Sequence, residues 1–242
     1  MSYEKDEMLN KSGALLTTAW RLLGRLGFID TIFNHISIAD ESSDGALRFS
    51  INSDRILPVE IDAESVRILQ VRQYAPLEGR DLGVNPDGLV LHSLIHSARL
   101  RSGAVIHTHA PYSLAVGCSE QGLLPLTQTA MEFYGELHTI DYGSVFRGHV
   151  LTEPLITLAR NGGAALLRNH GSLVVADTVE EAFYLTYYLE EACKLQVLAL
   201  SQGVPLVIPE ESIIEYTRKA LVEDRSKACI NLFQALARTI GK

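Results

Sequence analysis

The run Gly103-Ala-Val-Ile-His107-Thr108-His109 constrains this chain more than any other segment. Its apolar half is short, and Pro111 follows closely, so the pattern suits a brief buried strand rather than a helix. Side chains alternate along a strand with period 2, which projects His107 and His109 from one face at the strand's end. A second apolar run, Ala164-Ala-Leu-Leu167, leads into Arg168-Asn169-His170-Gly171. If both strands join one sheet, three imidazoles meet at one edge. Paired strand-end histidines are half of a metal site, and a third imidazole completes a three-ligand set with a position open for water or substrate. Histidines held in place by ordinary structural hydrogen bonds are the other reading of the same residues.

Helical and strand patterns alternate around these runs. Apolar positions at Leu15, Leu16, Ala19, Leu22, Leu23 and Leu26 predict an opening helix over residues 4–26. Strands are expected at 33–39 and 46–51, joined by a turn-rich Asp40-Glu-Ser-Ser-Asp-Gly45, and a third at 65–71. Asn85-Pro-Asp-Gly88 reads as a loop before a helix over about 89–100. Strand-like segments follow at 103–108, 125–128 and 138–142, then a helix over 152–160 and strands at 164–168 and 172–176. Thr178 and Glu181 have capping-box spacing for a helix reaching about Leu200, and a C-terminal helix is expected from Glu210. The interleaving places the chain in the α/β class, with helices packed on a sheet. No internal repeat or Pro/Ser-rich linker divides it, so one domain is expected over 1–242, with a core of about 10–205 and C-terminal helices over 206–242.

Charge and composition remove several function classes. A formal net charge of -8 without a Lys/Arg cluster excludes nucleic acid as an expected partner and disfavours a strongly anionic substrate. No run of 18 apolar residues occurs, so no membrane span is expected. The start, Met1-Ser-Tyr-Glu-Lys-Asp-Glu7, lacks the basic and apolar regions of a secretory signal, which points to a cytoplasmic protein. Cys118, Cys193 and Cys229 are too widely separated for a zinc knuckle and read as buried free thiols.

Three histidines without a carboxylate leave the full 2+ charge on a bound ion. Such a centre suits polarising a carbonyl and stabilising an enolate or enediolate. Zinc is favoured on ligand type, while iron, manganese, cobalt and nickel also accept imidazole. His92 and His96 stand at i, i+4 on the predicted helix, but Ser93 replaces the glutamate of a zinc-protease motif, and a solvated or packing role is expected for both. His138 and His149 read as surface residues. Glu132 and Tyr134, in Met131-Glu-Phe-Tyr-Gly135, are acid/base candidates, with a helix-end packing role as the alternative. No nucleophile elbow, dinucleotide fingerprint or Walker loop is present.

Five segments taken together resemble the class II aldolase/adducin family. They are Phe33-Asn34-His35-Ile36-Ser37, Asn85-Pro-Asp-Gly-Leu-Val-Leu-His92, Ala104-Val-Ile-His-Thr-His-Ala-Pro-Tyr112, Leu167-Arg-Asn-His-Gly171 and Thr178-Val-Glu-Glu-Ala182. The resemblance implies a three-layer α/β/α fold around a mainly antiparallel sheet. It also implies a zinc-type divalent metal on His107, His109 and His170, and a C4 homotetramer with active sites at subunit interfaces. The family's sugar-phosphate aldolases cleave a carbon–carbon bond by a retro-aldol reaction through a metal-stabilised enediolate.

This chain departs from those aldolases at three places. Gly88 stands where they carry the proton-transfer glutamate of a Ser-Ser-Glu run. Their phosphate-binding elements fall on Asp54-Arg55 and Pro86-Asp87, where carboxylates would repel a phosphate. Their acid tyrosine aligns near Thr129, beside Gln128. The Asn-Pro-Asp-Gly version is nearer the adducin-like branch.

The expected activity is therefore that of a metal-dependent carbon–carbon lyase, an aldolase or decarboxylase. Its substrate would be a small non-phosphorylated oxo or hydroxy acid reacting through a metal-stabilised enolate. Decarboxylation needs no base to begin, which makes the missing glutamate tolerable. Tyr134, Glu132, His35 or water would supply a proton, and Asn34, Asn52 and Gln128 are expected to contact substrate. Two alternatives stay open: a non-haem iron oxygenase on the same three histidines, and a non-catalytic interaction domain like the adducin head.

Overall fold

Seven strands form one sheet in the order β3-β2-β1-β4-β7-β6-β5. A computed structural model describes residues 3–29, 31–41, 46–71, 82–141 and 152–240. His149, and the end of the strand expected at 138–142, lie outside the described residues. In chain order the elements are α1 (Tyr3–Arg25), β1 (His35–Glu41), β2 (Leu47–Asn52), β3 (Val66–Gln70), α2 (Pro86–Arg99) and β4 (Gly103–Thr108). There follow α3 (Pro111–Gly117), α4 (Gln128–Met131), β5 (His138–Ile140), α5 (Glu153–Asn161), β6 (Gly163–Leu167), β7 (Gly171–Ala176), α6 (Val179–Ser201) and α7 (Glu211–Ala237).

Neighbouring strands pair antiparallel throughout the sheet, except that β5 runs parallel to β6. The strand alternation sorts the central residues onto two cores. Ala104 and Ile106 of β4, with Val174 and Ala176 of β7, share a core with Trp20 of α1 and Phe183 and Leu189 of α6. Val105, Leu173 and Val175 turn the other way, onto Leu91 and Ile95 of α2 and Leu155 and Leu158 of α5. Helices on both faces make the three-layer α/β/α arrangement, and burial on both sides explains why β4 and β7 read as continuous apolar runs.

The ends of the elements follow from local chemistry. Thr178 caps α6, its hydroxyl accepting from the Glu181 N–H at 3.2 Å. Asn85-Pro-Asp-Gly88 is a helix start rather than a loop. The Asn85 side chain accepts from the Gly88 N–H at 2.9 Å, and Pro86 occupies the first turn, where its missing N–H goes unneeded. The strand expected at 125–128 does not form. Leu124 instead donates its N–H to the Gln196 side chain at 2.6 Å, and Thr127 caps the short α4. Among the described residues, no helix is long and apolar enough to cross a membrane.

Candidate metal centre

β4 and β7 pair so that His107 lies opposite Leu173 and Thr108 opposite Ser172, which brings the end of β4 against the start of β7. His109 follows β4 directly, and His170 sits in the turn that precedes β7. That turn is tight. Asn169 adopts φ 57°, a left-handed conformation that asparagine tolerates, and the His170 N–H returns to the Leu167 carbonyl at 3.1 Å. Gly171 then passes so close to β4 that a Cβ there would stand 2.2 Å from the Thr108 carbonyl oxygen. Only glycine admits this approach, and the approach carries His170 to His109.

The Nε2 atoms of His107 and His109 are 3.1 Å apart, as are those of His109 and His170. Ligand atoms of all three lie within 4.8 Å of one another. Tetrahedral zinc–nitrogen bonds of about 2.0–2.1 Å separate two donor nitrogens by about 3.3 Å, so this spacing fits a common ion. The Nδ1 of His107 is 2.9 Å from the Ser172 carbonyl oxygen. A carbonyl can only accept, so Nδ1 carries the proton and the Nε2 lone pair faces the cluster. Burial, and then the neighbouring imidazoles of His35, His170 and His109, hold the His107 pKa well below its ordinary value. Burial and His109 lower that of His170 to about 4. Neutral imidazoles with converging lone pairs are the state in which a divalent cation is bound.

The cluster opens into a pocket of about 160 Å³ lined by Phe33, His35, Asn85, Asp87, Gly88 and Leu91 as well as the three histidines. His35 of β1 pairs across the ladder with His107, and their ring centroids are 5.3 Å apart. Burial, with the His109 and His170 imidazoles adding to it, lowers the His35 pKa to about 3. No Lys or Arg lines this pocket among the described residues.

The remaining candidates lie elsewhere or work differently from their expected roles. Asn34 and Asn52 are buried beside the site, but their side chains brace backbone. Asn34 accepts from the His109 N–H at 2.7 Å, and Asn52 accepts from Ile36 and donates to the Asn34 and Ser53 carbonyls. Gln128 is exposed at the start of α4 and does not line the pocket.

Glu132 is buried in an ion pair with Arg225 of α7 at 2.9 Å and accepts from the Tyr184 hydroxyl. It lines a second cavity with Ala176 and Arg99, at the end of the sheet opposite the histidines. The length of β4 separates the two, so Glu132 cannot reach its own chain's cluster. Tyr134 bonds Glu211 at 2.9 Å, which together with the Glu211 charge raises its pKa. Neither Glu132 nor Tyr134, the two expected acid/base candidates, lines the histidine pocket of its own chain.

His92 and His96 are also corrected in part. Neither is solvated; both are fully buried around the Ser37 hydroxyl, at 2.6 Å and 2.7 Å. Sequence reasoning missed Ser37, the Ser172 carbonyl and Phe33 as parts of the surroundings, although Phe33 and Ser37 stood in one of the quoted segments.

Residues 14–197 match the family model described as the Class II Aldolase and Adducin N-terminal domain. An adducin-related protein of Schizosaccharomyces pombe is 31% identical over 211 residues, covering 84% of this chain and 64% of its own length. Alpha-adducin of Rattus norvegicus is 33% identical over 210 residues, covering 84% of this chain but 27% of its own. The chain thus spans less than two thirds of these curated relatives. A crystal structure of an aldolase II superfamily protein from Pseudomonas syringae superposes with TM-score 0.77 at 29% identity, covering 99% of this chain and 95% of that one.

Proposed function

The chain belongs to the class II aldolase and adducin family, and we propose that it is a metal-dependent carbon–carbon lyase acting on a small non-phosphorylated oxo or hydroxy acid. The observation that carries this reading is the convergence of His107, His109 and His170 at the floor of a pocket. These three would hold a divalent ion, zinc by preference, which would supply Lewis-acid chemistry for aldol cleavage or decarboxylation.

The chain's own residues support the remaining parts. Ser172 fixes the tautomer of His107 through its carbonyl, which is the outer-shell orientation that ligating histidines need. Asn34 holds the backbone at His109. The volume of about 160 Å³ suits a small acid rather than a polymer. Asp87 on the wall, with no cation lining the pocket among the described residues, disfavours a phosphate. Exposed Leu198, Val204, Val207, Ile208 and Ile213 at the junction of α6 and α7 support self-association into the expected tetramer.

Elemental analysis of protein purified without added metal, followed by turnover of oxo and hydroxy acids with and without oxygen, tests the proposal. Stoichiometric zinc and oxygen-independent release of carbon dioxide or an aldehyde are expected. Iron with oxygen consumption would replace it with the oxygenase reading. The likeness to adducins favours a second reading, an interaction domain without catalysis; a folded protein that takes up no metal would establish that reading instead.

A further inference from the structure

Gly88 and His35 compete for one space. A Cβ built on Gly88 would lie 2.7 Å from Cγ, Cδ2 and Cε1 of the His35 ring, nearer than real Cβ atoms come to anything. A side chain at position 88 and an imidazole at position 35 therefore exclude each other in this geometry. The rest of the ring's surroundings hold it in place. His107 packs on it at 5.3 Å, and His92 meets it edge-to-face at 5.7 Å and 84°. His92 is itself fixed, because the Ser37 hydroxyl bridges its Nδ1 to the Nε2 of His96.

Within this setting His35 differs from its neighbours. His107 bonds the Ser172 carbonyl, and His92 and His96 share Ser37. Among the described residues, neither ring nitrogen of His35 has a hydrogen-bond partner, although the residue is only 6% exposed. The Asn85 side chain is near enough to favour the protonated ring, yet it falls outside hydrogen-bonding geometry. Buried polar groups are paired as a rule, and His35 lines the pocket. Its partner therefore comes from whatever fills the pocket.

We propose that His35 binds the substrate directly, donating an N–H to one of its oxygens, and that Gly88 is the residue that makes room for it. An imidazole carries at least one N–H in either protonation state, so the role does not depend on its titration. The ligand class, an oxygen-rich acid without a phosphate, rests on the lyase reading above; the exclusion between positions 35 and 88 does not.

Cobalt-loaded protein titrated with oxalate, followed by the cobalt absorption spectrum, tests the proposal, with cobalt content measured for every variant. His35→Phe keeps a planar ring and removes the N–H, whereas His35→Gln keeps a donor. The expected result is full cobalt in all three proteins and oxalate binding about 10- to 100-fold weaker in His35→Phe, as for loss of one hydrogen bond to a charged acceptor. Binding in His35→Gln is expected to stay within a few-fold of wild type. Gly88→Ala is expected to weaken oxalate and lower the melting temperature in the wild-type background, and to change neither when His35 is already Ala.

Undiminished oxalate binding by His35→Phe at full cobalt content would overturn the proposal, as would a loss in His35→Gln equal to that in His35→Phe. A wild-type protein that takes up no cobalt would overturn the lyase reading and the ligand class. The melting-temperature cycle would still decide the exclusion, and equal effects of Gly88→Ala in both backgrounds would refute it.

Discussion

Glu190, near the middle of α6, accepts the backbone N–H of Ser113 at 2.8 Å, and its second carboxylate oxygen accepts that of Tyr112 at 2.8 Å. Both donors belong to the first turn of α3, which begins two residues after His109. Ala110, the residue at the cap position, has no side chain able to do this. A carboxylate from a neighbouring helix thus satisfies N–H groups that the local sequence leaves open. Glu190→Gln turns one acceptor oxygen into a donor facing an N–H. The expected cost is about 1.5–3 kcal/mol, or a melting temperature lower by roughly 3–12 °C, measured by thermal denaturation. An unchanged melting temperature would show that solvent caps α3 equally well.

Replacing His109 by Ala removes the imidazole that stands 3.1 Å from both other Nε2 atoms. Bound metal is expected to fall from stoichiometric to near zero in elemental analysis, with the fold retained by circular dichroism. Retained metal at wild-type occupancy would refute the ligand assignment.

Acid is expected to destabilise the protein through His92 and His96. Burial pushes the His96 pKa down to about 3, with the Arg99 charge contributing. Burial, then the His35 and His96 imidazoles, holds His92 well below its ordinary value. Apart from these groups, Ser37 and the Phe49 ring are their neighbours. In the unfolded chain both titrate near 6.5, so the unfolded state gains protons first as pH falls. Stability is complete above about pH 7.5 and declines from about 6.5 toward 3, by at most about 1.4 kcal/mol per pH unit for each group. Urea melts at pH 8, 7, 6 and 5 read this directly, and a midpoint that does not move between pH 7 and 5 contradicts it.

Glu132→Gln separates a structural from a chemical role for this buried carboxylate. Among the described residues, the substitution leaves Arg225 with Glu181, at 3.7 Å, as its one anionic partner. Because Arg225 is partly exposed, the expected loss lies near the lower end for a broken buried pair, about 2–3 kcal/mol in urea melts, with metal content unchanged. Lost turnover at unchanged stability would mean that Glu132 serves a neighbouring subunit's site.

The parts of this molecule that the sequence made legible are those governed by local periodicity. Gly103–Thr108 is apolar because it lies in mid-sheet, and its period of two carries on past the last strand residue, so that His109 meets His107 on one side. Thr178 announced α6 because a cap acts within four residues. Relationships across the fold were not legible. Nothing local in Ser37 tells that it meets His92 and His96, 55 and 59 residues away. Asn34 and Asn52 carry amides suited to a ligand, and only the ladder shows that backbone uses them. Glu132 is a short way from His109 along the chain and a whole strand away in space, because proximity in sequence does not say which end of a sheet a loop returns to.

The ladder between β4 and β7 closes at Thr108 and Ser172, and His109 and His170 both stand outside it. The architecture is therefore complete without them. Substitutions that removed these two imidazoles would dismantle the three-histidine cluster and keep the pairing of β4 with β7, so the cluster and the sheet can change independently. That separability gives a physical reason why one fold serves proteins called aldolases and proteins called adducins.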